Sequence, residues 1–293
     1  MPMPDDQGRN DLWRLFAYDP GYDEKPSETV ILERIGHIIP QRTGRRVRIG
    51  DPEWLSVFTV HRRLADSYRH RRVLIAGDAA HAHAPFGGQG MLTGIGDAEN
   101  LAFKLALVVQ KKAKDPLIDS YEAERRPLAT EVLRGTSAVT RVNVARNPIV
   151  RFLRDHVAPH IFGPAPVRRW ITHAASQLWG SDRKGPLGGS GRKPRRGDRI
   201  PDMHCRRADG TDSMLHRELG GKWALLLPTA TPEATIAGVV RDYLGEYVGI
   251  LTHDGGQVLL IRPDGHLAWR GDFSDAAGLR RCLTTIVENG KAR

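Results

Sequence analysis

Between Arg71 and Ala106 the chain reads RRVLIAGDAAHAHAPFGGQGMLTGIGDAENLAFKLA, with acid, imidazole and glycine residues spaced as a ligand site needs them. The run Val73-Leu74-Ile75-Ala76 predicts a buried strand that ends directly in Gly77-Asp78. A strand end followed by a glycine-rich turn and a helix is where open α/β sheets take nucleotides. A carboxylate at Asp78 can accept two hydrogen bonds from sugar hydroxyls. Gly87, Gly88, Gly90, Gly94 and Gly96 let a ligand approach the backbone closely. A helix starting near Gly90 would aim free N–H groups and a positive dipole end at an anion. An isolated Gly-Asp is ordinarily a plain turn, and only the full string distinguishes this one. His81 and His83 have no carboxylate or thiol partner at ligand spacing, so no metal site is expected.

These residues must be positioned by the surrounding elements. A helix is predicted from about Asp97 to Lys111, with Leu101, Leu105 and Val108 on one apolar face. A second runs from about Ile118 to Val142, with a kink or restart at Pro127. Trp54–His61 reads as a strand and Trp170–Leu178 as a short helix. Gly and Pro are dense between Gly180 and Arg199, which reads as a linker at 181–199 dividing a block at 1–180 from one at 200–293. The second block follows a β-α-β-β-β-α order: strands at Trp223–Leu227, Tyr247–Thr252, Val258–Ile261 and Leu267–Arg270, helices at Pro232–Leu244 and Ala276–Glu288. The fold class expected is α/β, or α+β.

Composition excludes several classes. The 293 residues are 40% hydrophobic and 27% charged, enough apolar material for a core and against wholesale disorder. The net charge of +10 permits anionic partners, but the basic residues are scattered outside a cluster between Arg183 and Arg199, so nucleic-acid binding is not expected. Cys205 and Cys282 are too few for a disulfide framework or a zinc cage, a usage that fits the cytoplasm. No run approaches the ~20 apolar residues of a membrane span, and the first residues do not read as a signal peptide.

Read whole, the stretch resembles the second FAD-binding motif of the flavoprotein aromatic monooxygenases, the para-hydroxybenzoate hydroxylase-like group. The residues that carry the resemblance are Gly77-Asp78-Ala79-Ala80-His81, Pro85, Gly87-Gly88-Gln89-Gly90-Met91, Gly94, Asp97-Ala98, Asn100-Leu101 and Lys104-Leu105-Ala106, with Glu124-Arg125-Arg126-Pro127 further on. Leu92 and Thr93 depart from the Asn common near there in the family. The resemblance implies that Gly77-Asp78 holds the ribityl or ribose portion of FAD and that Pro85 lies at the isoalloxazine face as the residue nearest the chemistry. It implies too that the turn at Gly88, Gly90, Met91 and Leu92 presents N–H groups to the flavin N1–C2 edge, favouring reduced flavin electrostatically.

Arg196-Gly197-Asp198-Arg199-x-Pro201-Asp202 and Arg262-Pro263-Asp264-Gly265-His266-x-x-Trp269-Arg270 resemble the thioredoxin-like C-terminal domain of phenol hydroxylase-type members. Without a C-x-x-C, that domain implies packing or dimer contact rather than redox exchange. Family members open with a G-x-G-x-x-G turn, which does not occur in the 76 residues before Gly77, so the chain is expected to correspond to roughly the C-terminal half to three-fifths of a full hydroxylase. The resemblance implies an FAD-dependent monooxygenase that uses NAD(P)H and O₂ on a small aromatic substrate, as a homodimer or with a separate N-terminal half. The alternative is a catalytically inactive FAD half-site and dimerisation module.

Overall fold

The computed structural model describes residues 2–3, 12–17, 26–46, 48–84, 88–145, 147–178, 180–229 and 234–289. The chain divides into two compact units, residues 1–60 and 61–293. In the first, β1 (Pro2–Met3) pairs antiparallel with β2 (Leu12–Trp13). Helix α1 (Glu28–Thr43) starts at Ser27, whose side chain accepts from the Val30 N–H, and stops at Gly44 in the left-handed conformation. The strand expected from Trp54 is not formed. Residues 54–60 are irregular, with Trp54 75% and Phe58 56% exposed. β-branched and aromatic content alone does not make a strand without a ladder partner.

The second unit opens with short antiparallel pairs, β3 (Arg63–Leu64) with β6 (His81–Ala82) and β4 (Arg69–His70) with β5 (Val73–Leu74). Helices α2 (Gln89–Val109) and α3 (Pro116–Asn143) follow and pack on each other. Helix α2 begins eight residues before the start at Asp97 that apolar periodicity marks, and within one residue of the start near Gly90 expected from the glycine turn. Its glycines lower intrinsic helix propensity, and tertiary contact overrides that preference. Helix α3 runs unbroken through Pro127. The proline forfeits one backbone bond, while buried Tyr121, Glu124 and Arg125 before it and Ala129 and Val132 after it hold the helix against its neighbours. Shorter helices α4 (Pro148–Phe152), α5 (Ala158–Phe162) and α6 (Ala165–Ala175) continue the chain.

Six strands then build one sheet in the order β12-β11-β9-β10-β7-β8: β7 (His204–Arg206), β8 (Asp212–Met214), β9 (Trp223–Pro228), β10 (Val248–His253), β11 (Val258–Ile261) and β12 (Leu267–Gly271). Only β9 and β10 are parallel, joined through α8 (Ala234–Leu244), since α7 (Leu215–Leu219) precedes β9. The period of two sorts β9 onto two cores. Trp223, Leu225 and Leu227 face Ile236 and Val240 of α8 and Leu279 and Leu283 of α9 (Ala276–Thr284). Ala224 and Leu226 pack with Cys205, Leu215 and Leu219 on the other side. Phe103, Leu107 and Leu117 join the first core, so α2, α3 and the sheet share one apolar interior. The stretch 181–199 runs inside this unit: Leu187 is buried in the same core, and Gly197 donates to Leu267 O at 2.8 Å. Among the described residues no helix is long and apolar enough to cross a membrane.

Candidate functional site

Gly77-Asp78-Ala79 forms a single 3-10 turn directly after the β5 region, with Gly77 at φ +58°. A Cβ on Gly94 would lie 3.2 Å from Gly77 Cα, so the turn rests on α2 at Gly94 with no side chain between them. The Gly77 N–H donates to Asp97 Oδ2 at 3.2 Å and locks that contact. Helix α2 starts at Gly88, which is left-handed at φ +63° and offers no side-chain cap. The first-turn N–H groups, including those of Gly90 and Met91, therefore have no intrahelical acceptor. Gly88 is exposed and Met91 is 72% exposed, so this helix end is open. Asp78 is exposed and its carboxylate bonds no other described residue. Leu92 borders the same end, at 38% exposure. Thr93 is fully buried, donating to Gln89 O and accepting from Gln177 Nε2, both at 2.8 Å, so it braces the first turn from behind. Pro85 lies outside the described residues.

Behind the turn sits a file of buried polar groups. His81 Nε2 is 2.5 Å from Asp97 Oδ2, and His81 Nδ1 is 2.9 Å from His83 Nε2. Arg125 Nε donates to the other Asp97 oxygen at 2.9 Å and Nη2 to Thr93 O at 3.3 Å. Burial opposes ionisation of Asp97, but the His81 hydrogen bond and the Arg125 guanidinium outweigh it and hold the carboxyl below its usual range. Burial, then the neighbouring His81, pushes His83 down. The carboxylate missing from the sequence reading of His81 and His83 is Asp97, sixteen residues from His81 and brought in by the first turns of α2.

A second buried group joins α2 and α3 to the β11–β12 turn. Glu124 accepts from Asn100 Nδ2 at 2.8 Å, Lys104 Nζ at 2.7 Å, and Arg262 through both guanidinium nitrogens at 3.0 and 3.1 Å. Asn100 also donates to Asp264 Oδ2 at 3.0 Å. Arg262 further bonds Asp264 and Asp182, and His266 Nδ1 lies 3.2 Å from Asp264 Oδ1. Against burial, Arg262 and Lys104 hold Glu124 down at about 2, while burial pushes Asp182 up. Asp182, Asp264 and His266 converge closely enough to hold a cation, and the Arg262 guanidinium already bonds both carboxylates. Asn100, Lys104, Glu124 and Arg262 all stand in motif strings visible in the sequence. That they bond one another across up to 138 residues does not follow from local spacing.

Residues 1–136 match the FAD binding domain family, and residues 193–289 match the family described as aromatic-ring hydroxylase, C-terminal. The chain is 36% identical over 226 residues to 12-dehydrotetracycline 5-monooxygenase/anhydrotetracycline 6-monooxygenase of Streptomyces rimosus, covering 75% of this chain and 44% of that relative. It is 34% identical over 226 residues to a rifampicin monooxygenase of Rhodococcus hoagii, covering 76% and 44%. Among solved structures, the OxyS anhydrotetracycline hydroxylase of Streptomyces rimosus superposes with a TM-score of 0.70 at 31% identity, covering 86% of this chain and 52% of that one. The chain spans about half the length of the curated relatives it matches. By both profile matches and by these relatives, the chain belongs to the flavoprotein aromatic-ring hydroxylases.

Proposed function

We propose that this chain supplies the flavin-contacting portion of an FAD-dependent monooxygenase that hydroxylates an aromatic, phenolic or polyketide-like substrate with NAD(P)H and O₂. The observation that carries this reading is the Gly77-Asp78 turn seated on α2 beside an open helix end. Asp78 offers a carboxylate that bonds no other described residue, and Gly88, Gly90 and Met91 offer a backbone edge of N–H groups without an intrahelical acceptor, bordered by Leu92. Pro85 is assigned to the flavin face from the sequence alone. When bound, the flavin supplies oxygen activation and hydroxyl transfer to the ring. The chain's own part is to hold its sugar at Asp78 and to stabilise negative charge on its pyrimidine edge through the first turn of α2.

The sheet at 204–271 supports a thioredoxin-like reading of the C-terminal domain: a parallel β9-α8-β10 unit, an antiparallel β11–β12 pair and a closing helix α9. A domain of 1–180, a connecting stretch of 181–199 and a domain of 200–293 agree in order with the two family matches. We take the assembly to be a homodimer or a complex with a separate segment, and its place to be the cytoplasm.

The test is FAD binding by equilibrium dialysis, followed by NAD(P)H oxidation with a panel of phenolic and polycyclic aromatic compounds. Binding that depends on Asp78, with substrate-stimulated oxidation, supports the reading. Binding without oxidation under any substrate favours the inactive half-site module. No binding at millimolar FAD defeats both.

A further inference from the structure

We propose that Gln177 is a positioning residue for the open end of α2: its side-chain amide sets the Gln89–Gly90 peptide, whose N–H belongs to the unpaired first turn. The proposal rests on the flavin-site reading for the identity of the ligand, and on contacts within this chain for the positioning itself.

Gln177 lies just beyond α6 and 88 residues from Gln89 in sequence. Its Nε2 donates to Gln89 O at 3.0 Å and to Thr93 Oγ1 at 2.8 Å, so both amide protons are engaged by the start of α2. Thr93 Oγ1 in turn donates to Gln89 O at 2.8 Å. A carbonyl can only accept, and the Thr93 hydroxyl proton is committed to it. The nitrogen of the Gln177 amide, not its oxygen, must therefore face both groups. Gln89 O thus receives two side-chain donors. That carbonyl and the Gly90 N–H are the two ends of one planar peptide. Donors on the oxygen hold the plane and polarise the amide, which makes its N–H a stronger donor. The N–H itself has no intrahelical acceptor and is directed out of the helix end.

The backbone at Gln177 is a second, separate observation. It is left-handed, φ +55°, directly after the C-cap residue Ser176 of α6. That position favours glycine, because a Cβ is unfavourable there. What glycine would lack is the side chain, and this side chain makes two bonds to α2. The turn is closed by the Gly180 N–H, which donates to Gln177 O at 3.0 Å. Arg125 Nη2 holds the Thr93 carbonyl at 3.3 Å, so one residue of α3 and one beyond α6 anchor the start of α2 together. On the flavin reading, the Gly90 N–H serves an edge that gains negative charge on reduction. A donor strengthened through Gln177 then favours reduced over oxidised flavin.

The test is Gln177→Gly in the full chain, since glycine suits the left-handed backbone and removes only the side chain. Thermal unfolding should change little, because the relieved backbone offsets the lost bonds. In the flavin-free protein, nitrogen-15 NMR should show the Gly90 amide displaced. Titration should show oxidised FAD bound about two- to tenfold more weakly, as the loss of an ordinary hydrogen bond implies, and reduced FAD weakened further. A side chain with a purely structural role would weaken both forms alike. Gln177→Glu replaces the donor with an acceptor and should disfavour reduced FAD more than Gln177→Gly does. An unmoved Gly90 amide overturns the positioning. Equal losses for the two flavin forms, or none, overturn the role toward the flavin edge. If Gln177→Gly does not fold, Gln177→Asn, one methylene shorter, is measured in its place against the same outcomes. A wild type that binds no FAD defeats the flavin reading and the role toward the flavin with it, and the Gly90 amide still decides the positioning.

Discussion

Glu124 and Arg262, 138 residues apart, meet in a fully buried bidentate pair, Nη1 to Oε1 at 3.1 Å and Nη2 to Oε2 at 3.0 Å. One lies in the span matching the FAD binding domain and the other in the span matching the hydroxylase C-terminal family, so the two spans share a polar core as well as an apolar one. Glu124→Gln removes the charge that offsets both Lys104 and Arg262 and leaves two buried cations under-compensated. Breaking one side of such a pair costs about 3–5 kcal/mol. Urea unfolding of the full chain should register a loss of that order, and the double variant Glu124→Gln/Arg262→Met should lose less than the sum of the singles. A loss below about 1 kcal/mol for Glu124→Gln would show that the pair is not buried as described.

Acid should dismantle the same cluster. Glu124 is held at about 2 in the folded chain against an ordinary 4.5, Asp264 lies well below its usual range, and Asp97 is also lowered. Carboxyls depressed by folding stabilise the native state above their unfolded pKa and lose that contribution as pH falls through the folded value. Asp182 is raised and works in the opposite sense, but it is one group against three. Thermal stability should hold above pH 5 and decline from there towards pH 2. In Glu124→Gln the decline should be shallower. An equal slope in the variant would remove Glu124 as a contributor.

Much of this was legible in the sequence, and for identifiable reasons. The strands at Val258–Ile261 and Trp223–Leu227 were recognisable because runs of apolar residues bounded by turn residues admit few other structures. The glycine string reads as room for a ligand beside the backbone, and what the structure shows at one of its members is a contact within the chain, Gly94 against the Gly77 turn. What stayed hidden depends on distance along the chain. Asp97 reads locally as one more helical residue, and only the fold delivers it to His81. Apolar periodicity marks α2 only from Asp97, because the glycines before it look like loop; the start at Gln89 follows from the glycine turn, which points to a helix beginning near Gly90. Trp54–His61 shows the reverse error, strand-like content without a partner to pair with.

Gly96 gives a stringent check on the site's packing. A Cβ there would lie 2.6 Å from Arg125 Nη2, on a guanidinium that is itself buried and bonded to Asp97 and Thr93. Alanine is the better helix former by about 1 kcal/mol, so propensity alone predicts a gain. The displaced Arg125 should reverse the sign, with a net loss of about 1–3 kcal/mol from overpacking and a weakened ion pair. Denaturation of Gly96→Ala measures this directly. A stabilised variant would mean that Arg125 relocates freely.

The two thiols should be inert in the native chain. Cys205 and Cys282 are buried, and desolvation pushes Cys282 up to about 11 and raises Cys205 as well. Thiolate is the reactive form, so both access and ionisation oppose modification. At pH 8, Ellman's reagent should titrate both cysteines promptly in denaturant and neither on the same timescale without it. Prompt reaction of one thiol in the folded chain would place it outside the cores described.

Asp78 separates binding from folding better than any other residue of the site. It is exposed and bonds no other described residue, so Asp78→Ala should change unfolding free energy by no more than about 0.5 kcal/mol, as surface substitutions do. Its proposed task is to accept hydrogen bonds from FAD sugar hydroxyls, and bonds to a charged acceptor contribute about 1.5–3 kcal/mol each. The variant should therefore bind FAD at least tenfold more weakly, since about 1.4 kcal/mol is a factor of ten. Asp78→Asn keeps one carbonyl acceptor without the charge and should fall between the two. Quenching of flavin fluorescence across an FAD titration gives all three affinities, with circular dichroism confirming that each protein is folded. If the wild type binds and Asp78→Ala binds equally well, the carboxylate does not hold the sugar, and the flavin contacts lie along the Gly88–Leu92 backbone alone.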